Sequence, residues 1–410
     1  MCIRDSIYRI SETSEVRDRR YEFIILDDAS INAFAAPGGI IGINTGMFIK
    51  TETEGQFASV MCHELAHLSQ RHYARSQQNN NPLTNALILL GSVATAVVTA
   101  NPQAILIAPA LIQQLATNYT RENEREADRI GFRNLVNAGF DPRSQSQMFQ
   151  ILQKSQSGIN EEYSYLFTHP IPKERITDAR IREENIDNQS NYRNSLEFYL
   201  VKARAEVANS KNLSSLKEFY LSKQKNNDNK IKLYKKYGLS LVLKEQKKYE
   251  KSFKAARELL KEIPSNLIFQ TNILEIHLAE GNSLEAISIG ERLLNVNSNN
   301  FSISYYLAKA YILDNNPEKA EEILINLSKE NPRDPTVWYE LAEAQGLAGN
   351  IIGLHRSRAE YFILTGRYDS AIFQLREGLK LSKNFFEIRE SIINKLEQIY
   401  KTKRALKDLT

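Results

Sequence analysis

Gly55–Arg75 reads GQFASVMCHELAHLSQRHYAR, and inside it stands His63-Glu64-Leu65-Ala66-His67. Phe57, Val60, Met61, Leu65 and Leu68 fall at steps of three and four, which predicts a helix with one buried stripe. On a helix, residues four apart share a face, so His63 and His67 can turn both imidazoles toward one ion. Zinc accepts neutral imidazole nitrogens at about 2.0–2.1 Å. Glu64, one step round, is expected to reach a water at the metal without ligating it, and to act as base. Histidine is scarce, six in 410 residues, so chance rarely supplies this pentapeptide.

A catalytic zinc usually has three protein ligands and one open position. The third is expected from Arg121-Glu122-Asn123-Glu124-Arg125-Glu126-Ala127-Asp128, where Glu124 and Asp128 again stand four apart. Glu124 is the expected ligand. Asp128 is expected to accept the second N–H of a ligand histidine and so set its tautomer. Ala127, Ile130 and Gly131 favour an inward face, while Glu122 and Glu126 read as solvated. One zinc ion per chain is the expected cofactor.

Working outward, residues 21–26 and 39–43 are strand-like and separated by Pro37-Gly38-Gly39. The strand at Gly39–Asn44 could present a free edge to an extended substrate, although Ile40, Ile41 and Ile43 also suit a core strand. Between Arg75 and Arg121 no charged residue occurs. The apolar run Leu83–Ala100 falls short of the about 20 residues a span needs and carries several hydroxyl and amide side chains. Residues 83–116 are therefore expected as a helical hairpin packed on the core, with peripheral membrane contact or a membrane anchor as the other readings.

Beyond residue 190 a 34-residue period shows in Leu239, Ile273, Leu307 and Leu341, and in Ser252, Ala286 and Ala320. Trp338–Leu341 matches the Trp-x2-Leu element of the tetratricopeptide pattern. Leu354 breaks the small-residue series, so the array is expected to lose register there. The fold class is thus an α+β zincin metallopeptidase domain, residues 1–190, followed by an all-α tetratricopeptide-like solenoid, residues 191–410. Such arrays bind peptides or partner proteins.

A net charge of +4 over this length, with no aromatic-interleaved basic patch, gives no reason to expect nucleic acid. Two cysteines, Cys2 and Cys62, make no disulfide framework. Met1–Ser6 reads as neither a signal nor a helix cap. The start is expected to be truncated, with residues 1–6 foreign and a signal peptide missing.

The His63–His67 motif followed by Glu124-x-x-Ala-Asp128 resembles the zincin metallopeptidase family of HtpX and the prenyl-protein endopeptidases. Asn32-Ala33-Phe34 with Pro37-Gly38-Gly39, then Ala138-Gly139-Phe140-Asp141-Pro142, also match. Thr168-His169-Pro170 and the repeat tail are similar to the soluble periplasmic branch of that family. The resemblance covers residues 20–185 by motif and the rest by architecture. It implies a periplasmic metalloendopeptidase that degrades misfolded or misassembled outer-membrane proteins and assists their assembly, meeting the assembly machinery through its repeats. It places His169 near the metal, as a cap or a substrate contact. The family's opening helix is expected to be absent here. The rival expectation is a helical-repeat chaperone or assembly factor with a dormant zinc site.

Remaining residues take lesser roles. His72, about 140° round the helix from His67, reads as a surface residue or one standing behind a ligand. Cys62 should point away from the metal, His277 and His355 read as ordinary helix-face residues, and Arg175 could orient a carboxylate or the His169 loop.

Overall fold

The structure, a computed structural model, describes residues 2–79, 121–155, 165, 169–170, 172–186, 194–222 and 228–407. The uncharged hairpin expected at 83–116 lies outside them. Among the described residues, no helix is long and apolar enough to cross a membrane. They divide into two compact units, and the chain passes from the first to the second after Leu239.

The first unit opens with α1 (Cys2–Thr13). A helix thus stands at the start, where the opening helix was expected to be absent. Ile7 and Ile10, one turn apart, are fully buried, and the Arg9 guanidinium lies 4.9 Å over the Phe140 ring.

A three-stranded sheet follows, formed by β1 (Glu22–Leu26), β2 (Ala33–Ala36) and β3 (Ile40–Asn44) in the order β1-β3-β2. β3 pairs parallel with β1, Glu22 opposite Ile40, and antiparallel with β2, Ala33 opposite Ile43. β3 is therefore central and both its edges are taken, which overturns its reading as a free substrate-binding edge. Its buried Ile41 and Ile43 are the core strand's requirement. Gly39 enters β3 at φ +80°, where a Cβ would lie 2.2 Å from the Arg20 carbonyl oxygen, so only glycine fits.

Helix α2 (Thr45–Lys50) leads to α3 (Glu54–Ser69), which Thr53 and Gln56 start with a reciprocal capping box. Every residue from Glu54 to His67 is buried. A helix buried on all sides lies inside its unit, not on it, and α3 packs against β2, α1, α5 (Arg121–Asn137) and α6 (Arg143–Ser155). The expected helix is broken at Gln70–Arg71, and α4 (His72–Asn79) starts afresh. After α7 (Lys173–Glu184) come α8 (Leu196–Ala208), α9 (Leu213–Leu221) and α10 (Asn229–Glu245). The Lys202 ammonium on α8 donates to the carbonyls of Phe48, Ile49 and Thr51 at the end of α2, and burial lowers its pKa. These contacts fasten α8 to α2 within the first unit.

The second unit holds the repeats. α11 (Tyr249–Glu262), α13 (Ser283–Val296), α15 (Pro317–Glu330) and α17 (Ile351–Leu364) start 34 residues apart. So do α12 (Leu267–Glu280), α14 (Phe301–Leu313) and α16 (Pro335–Leu347), before α18 (Tyr368–Leu381) and α19 (Phe386–Lys407). Leu307, Leu341, Ala286 and Ala320 are buried where the period places them. Register is not lost at Leu354. The large side chain is received by Gly346, where a Cβ would stand 2.7 Å from the leucine Cδ1.

Candidate metal centre

α3 and α5 cross at Gly131. A Cβ there would stand 3.0 Å from the His63 amide nitrogen and 3.1 Å from the Cys62 carbonyl, so the backbones touch where His63 leaves its helix. That approach sets Glu124 and Asp128, inward on α5, against His63 and His67. His169, in the segment before α7, completes the group. The ligand-type atoms of His63, His67, Glu124 and His169 all lie within 4.8 Å of one another, and all four residues are buried.

The distances are those of converging ligands. His67 Nε2 is 2.9 Å from His63 Nε2 and 3.3 Å from Glu124 Oε1; His63 Nε2 is 3.4 Å from Glu124 Oε2. Atoms bonded tetrahedrally to zinc at 2.0–2.1 Å stand about 3.3 Å apart. Two imidazoles and a carboxylate at these separations fit a divalent metal. His169 Nδ1 is 2.9 Å from Glu124 Oε1, and its Nε2 is 3.5 Å from Glu64 Oε1. His169 thus stands between the carboxylates of Glu64 and Glu124, and could either complete the coordination or cover it.

Behind these groups stands a second layer. Asp128 Oδ1 is 3.0 Å from His63 Nδ1, which turns Nε2 toward the cluster. Arg175 grips Asp128 with two nitrogens at 2.7 and 2.8 Å, reaches Glu124 Oε2 at 2.7 Å, and donates to the Pro170 carbonyl. The arginine so ties α5 to the His169 segment. Tyr165 is buried with its ring stacked on His169, centroids 4.6 Å apart. His72, buried at the start of α4, meets His67 Nδ1 with its own Nδ1 at 2.9 Å, and its Nε2 meets Glu126 Oε2 at 2.9 Å.

Burial and charge set the proton affinities. Burial works against the His63 imidazolium, yet Asp128 and Glu124 outweigh it and lift the group to about 9. His67, equally buried and beside His63, is pushed well below 6.5, since two adjacent imidazoles do not both hold charge. Burial alone would raise Asp128; Arg175 and His63 overcome it and hold the carboxyl at about 2. Burial raises Glu64 above the ordinary carboxyl range, the direction a general base needs. Burial also raises the Cys62 thiol, which remains a free, inert buried residue.

The structure therefore brings together His63, Glu64, His67, Glu124, Asp128 and His169. Glu126 is corrected: it is no idle surface carboxylate but holds His72 and Arg75. Arg175 takes the carboxylate-orienting place foreseen for it. Tyr165 was missed, although its spacing of four from His169 was a signal; the His169 amide bonds to the Tyr165 carbonyl. His277 and His355 sit on repeat helices, His277 against the Phe253 ring and His355 with Gln374.

Comparison with known proteins bears on this arrangement. The model of peptidase family M48 matches residues 2–183, and a tetratricopeptide-repeat model matches residues 277–345. The β-barrel assembly-enhancing protease of Escherichia coli (strain K12) is 32% identical over 361 residues, which are 86% of this chain and 73% of that protein. Its counterpart from Yersinia pestis is 31% identical over 365 residues, 87% of this chain and 74% of that protein. The mitochondrial metalloendopeptidase OMA1 of Arabidopsis thaliana shares 30% identity over 175 residues, 42% of this chain and 34% of that protein. Matched across both its catalytic-type domain and its repeats, the chain belongs to peptidase family M48, as a metalloendopeptidase that carries tetratricopeptide repeats.

Proposed function

We propose that the chain is a zinc-dependent endopeptidase of the periplasm that hydrolyses misfolded or misassembled outer-membrane proteins. His63, His67 and Glu124 hold the zinc, Glu64 is the base, and Asp128 orients His63. The observation that carries this reading is the buried convergence of His63, His67, Glu124 and His169 within 4.8 Å beside the raised carboxyl of Glu64. Zinc bound there would supply Lewis acidity to the scissile carbonyl and the attacking water. Glu64 takes the proton of that water and returns it to the leaving amine nitrogen. Its buried surroundings keep the proton at hand by disfavouring the carboxylate.

The names of the relatives support the substrate class and, with it, the compartment and a role for the repeats in meeting the assembly machinery. In this reading His169 caps the site, supported by its full burial, its stacking on Tyr165 and its bond to Glu124. The same observation favours a second reading, an assembly factor whose zinc site stays quiet. Zinc content and cleavage of an unfolded outer-membrane protein, measured on wild type, Glu124→Gln and His169→Ala, separate the two. The reading expects about one zinc per chain in wild type, loss of most of it in Glu124→Gln, and faster cleavage in His169→Ala. Full zinc with no cleavage in either wild type or His169→Ala would establish the quiet assembly factor instead.

A further inference from the structure

His72 owes its position to a break in the chain. Arg71 takes φ 54°, the left-handed region that a non-glycine residue occupies at a cost. On an unbroken helix His72 would stand about 140° round from His67 and could not face it. Because α4 starts afresh at His72, the two rings meet edge to face, centroids 4.9 Å apart, Nδ1 to Nδ1 at 2.9 Å. Beyond them lie Glu126 Oε2, 2.9 Å from His72 Nε2, and Arg75 Nη1, 3.2 Å from that same oxygen. His72 is fully buried and Glu126 is partly exposed.

We infer that His72, held by Glu126, is the positioning residue for His67, fixing its ring and tautomer so that Nε2 faces the metal. The inference rests on the reading of His67 as a ligand. The proton assignment follows from the geometry. His67 Nε2 lies in the cluster and must offer a lone pair, so the ring proton sits on Nδ1. That N–H donates to His72 Nδ1, which leaves the His72 proton on Nε2, where it donates to the Glu126 carboxylate. The chain of donors runs one way, from the metal side outward, and every link has an acceptor. The two histidines of the motif are thus backed in different ways. His63 meets the carboxylate of Asp128 directly, at 3.0 Å. His67 reaches its carboxylate through a second imidazole, and the break at Arg71 is what puts that imidazole there. Such backing partners typically contribute 10–100-fold in metal affinity.

The test is the zinc dissociation constant of the purified chain, by chelator competition, alongside the melting temperature of the zinc-free protein. His72→Leu should raise the constant 10–100-fold. His72→Asn, whose Oδ1 falls near the position of Nδ1 and can still accept from His67, should recover much of that loss. Glu126→Ala, at a partly exposed position where folding is not at risk, should weaken binding about 10-fold. The His72→Leu/Glu126→Ala pair should bind no more weakly than His72→Leu alone, because both act along one chain. A role in packing alone would lower the zinc-free melting temperature of His72→Leu and leave the zinc constants of all variants unchanged. Should His72→Leu fail to fold, an unchanged constant in Glu126→Ala overturns the inference by itself. A wild-type chain that binds no zinc would overturn the metal reading, and the inference with it. Unchanged constants in variants of a zinc-binding wild type overturn the inference alone.

Discussion

Asp128 and Arg175 face one another out of water, and each offsets the cost of burying the other's charge, beside Glu124 and His63. Removing one partner leaves the other's buried charge only partly compensated, so Asp128→Ala or Arg175→Met should each cost about 3 kcal/mol, read as a lowered melting temperature. The pH dependence has a definite sign. The folded pKa of Asp128, about 2, lies below its ordinary 3.8. Its contribution, about 2 kcal/mol, is therefore complete above pH 3.8 and lost as the pH falls toward 2. Asp128→Asn should flatten acid unfolding in that window; an unchanged profile would contradict the assignment. At this scale much of the site was legible. His63 with His67, and Glu124 with Asp128, declare themselves because a spacing of four means one face of a helix. Arg175 and Tyr165 were harder, since what they touch depends on how the segment carrying His169 returns to α5. His72 stands behind the ligand His67, one of the two places expected for it, but not by the route expected: the 140° argument assumes a helix that continues, and Arg71 ends it.

Among the elements, α3 and its crossing with α5 decide whether the ligands meet. Gly131→Leu would drive a side chain into the backbone at Cys62 and His63, and overpacking of that kind costs about 1–3 kcal/mol. The expected outcome is a folded but less stable chain with reduced zinc content, measured by metal analysis. Retained zinc would mean that the crossing does not set the site. Phe57→Ala, which leaves a cavity under α3, should cost about 3–5 kcal/mol. The helix itself was readable from its apolar steps and from Thr53 and Gln56 at its start. The sheet was half readable. β1 and β3 showed as apolar runs, but β2 is only Ala33–Ala36, with too little β-branched character to announce itself. Missing it made β3 look like an edge strand.

For the molecule as a whole, the 34-residue period carried the second unit from sequence to structure, because each repeat buries its stripe against its neighbour. Leu354 shows the limit of matching residue types: a small residue moved across the contact, to Gly346, preserves the packing. The division between units near Leu239 was not legible, because the contacts Lys202 makes with α2 carry no periodic signal. Two units imply unfolding in more than one step. Zinc should raise only the transition of the first unit, by about 2.7 kcal/mol at a hundredfold excess over its dissociation constant, and a chelator should reverse it. A zinc shift confined to the repeat unit's transition would contradict the site's place in α3 and α5. The most direct measurement of the central claim compares zinc content and cleavage of an unfolded outer-membrane protein in wild type and Glu64→Gln. The account predicts equal zinc, close to one per chain, with cleavage lost in the variant. Cleavage by Glu64→Gln at the wild-type rate would contradict it.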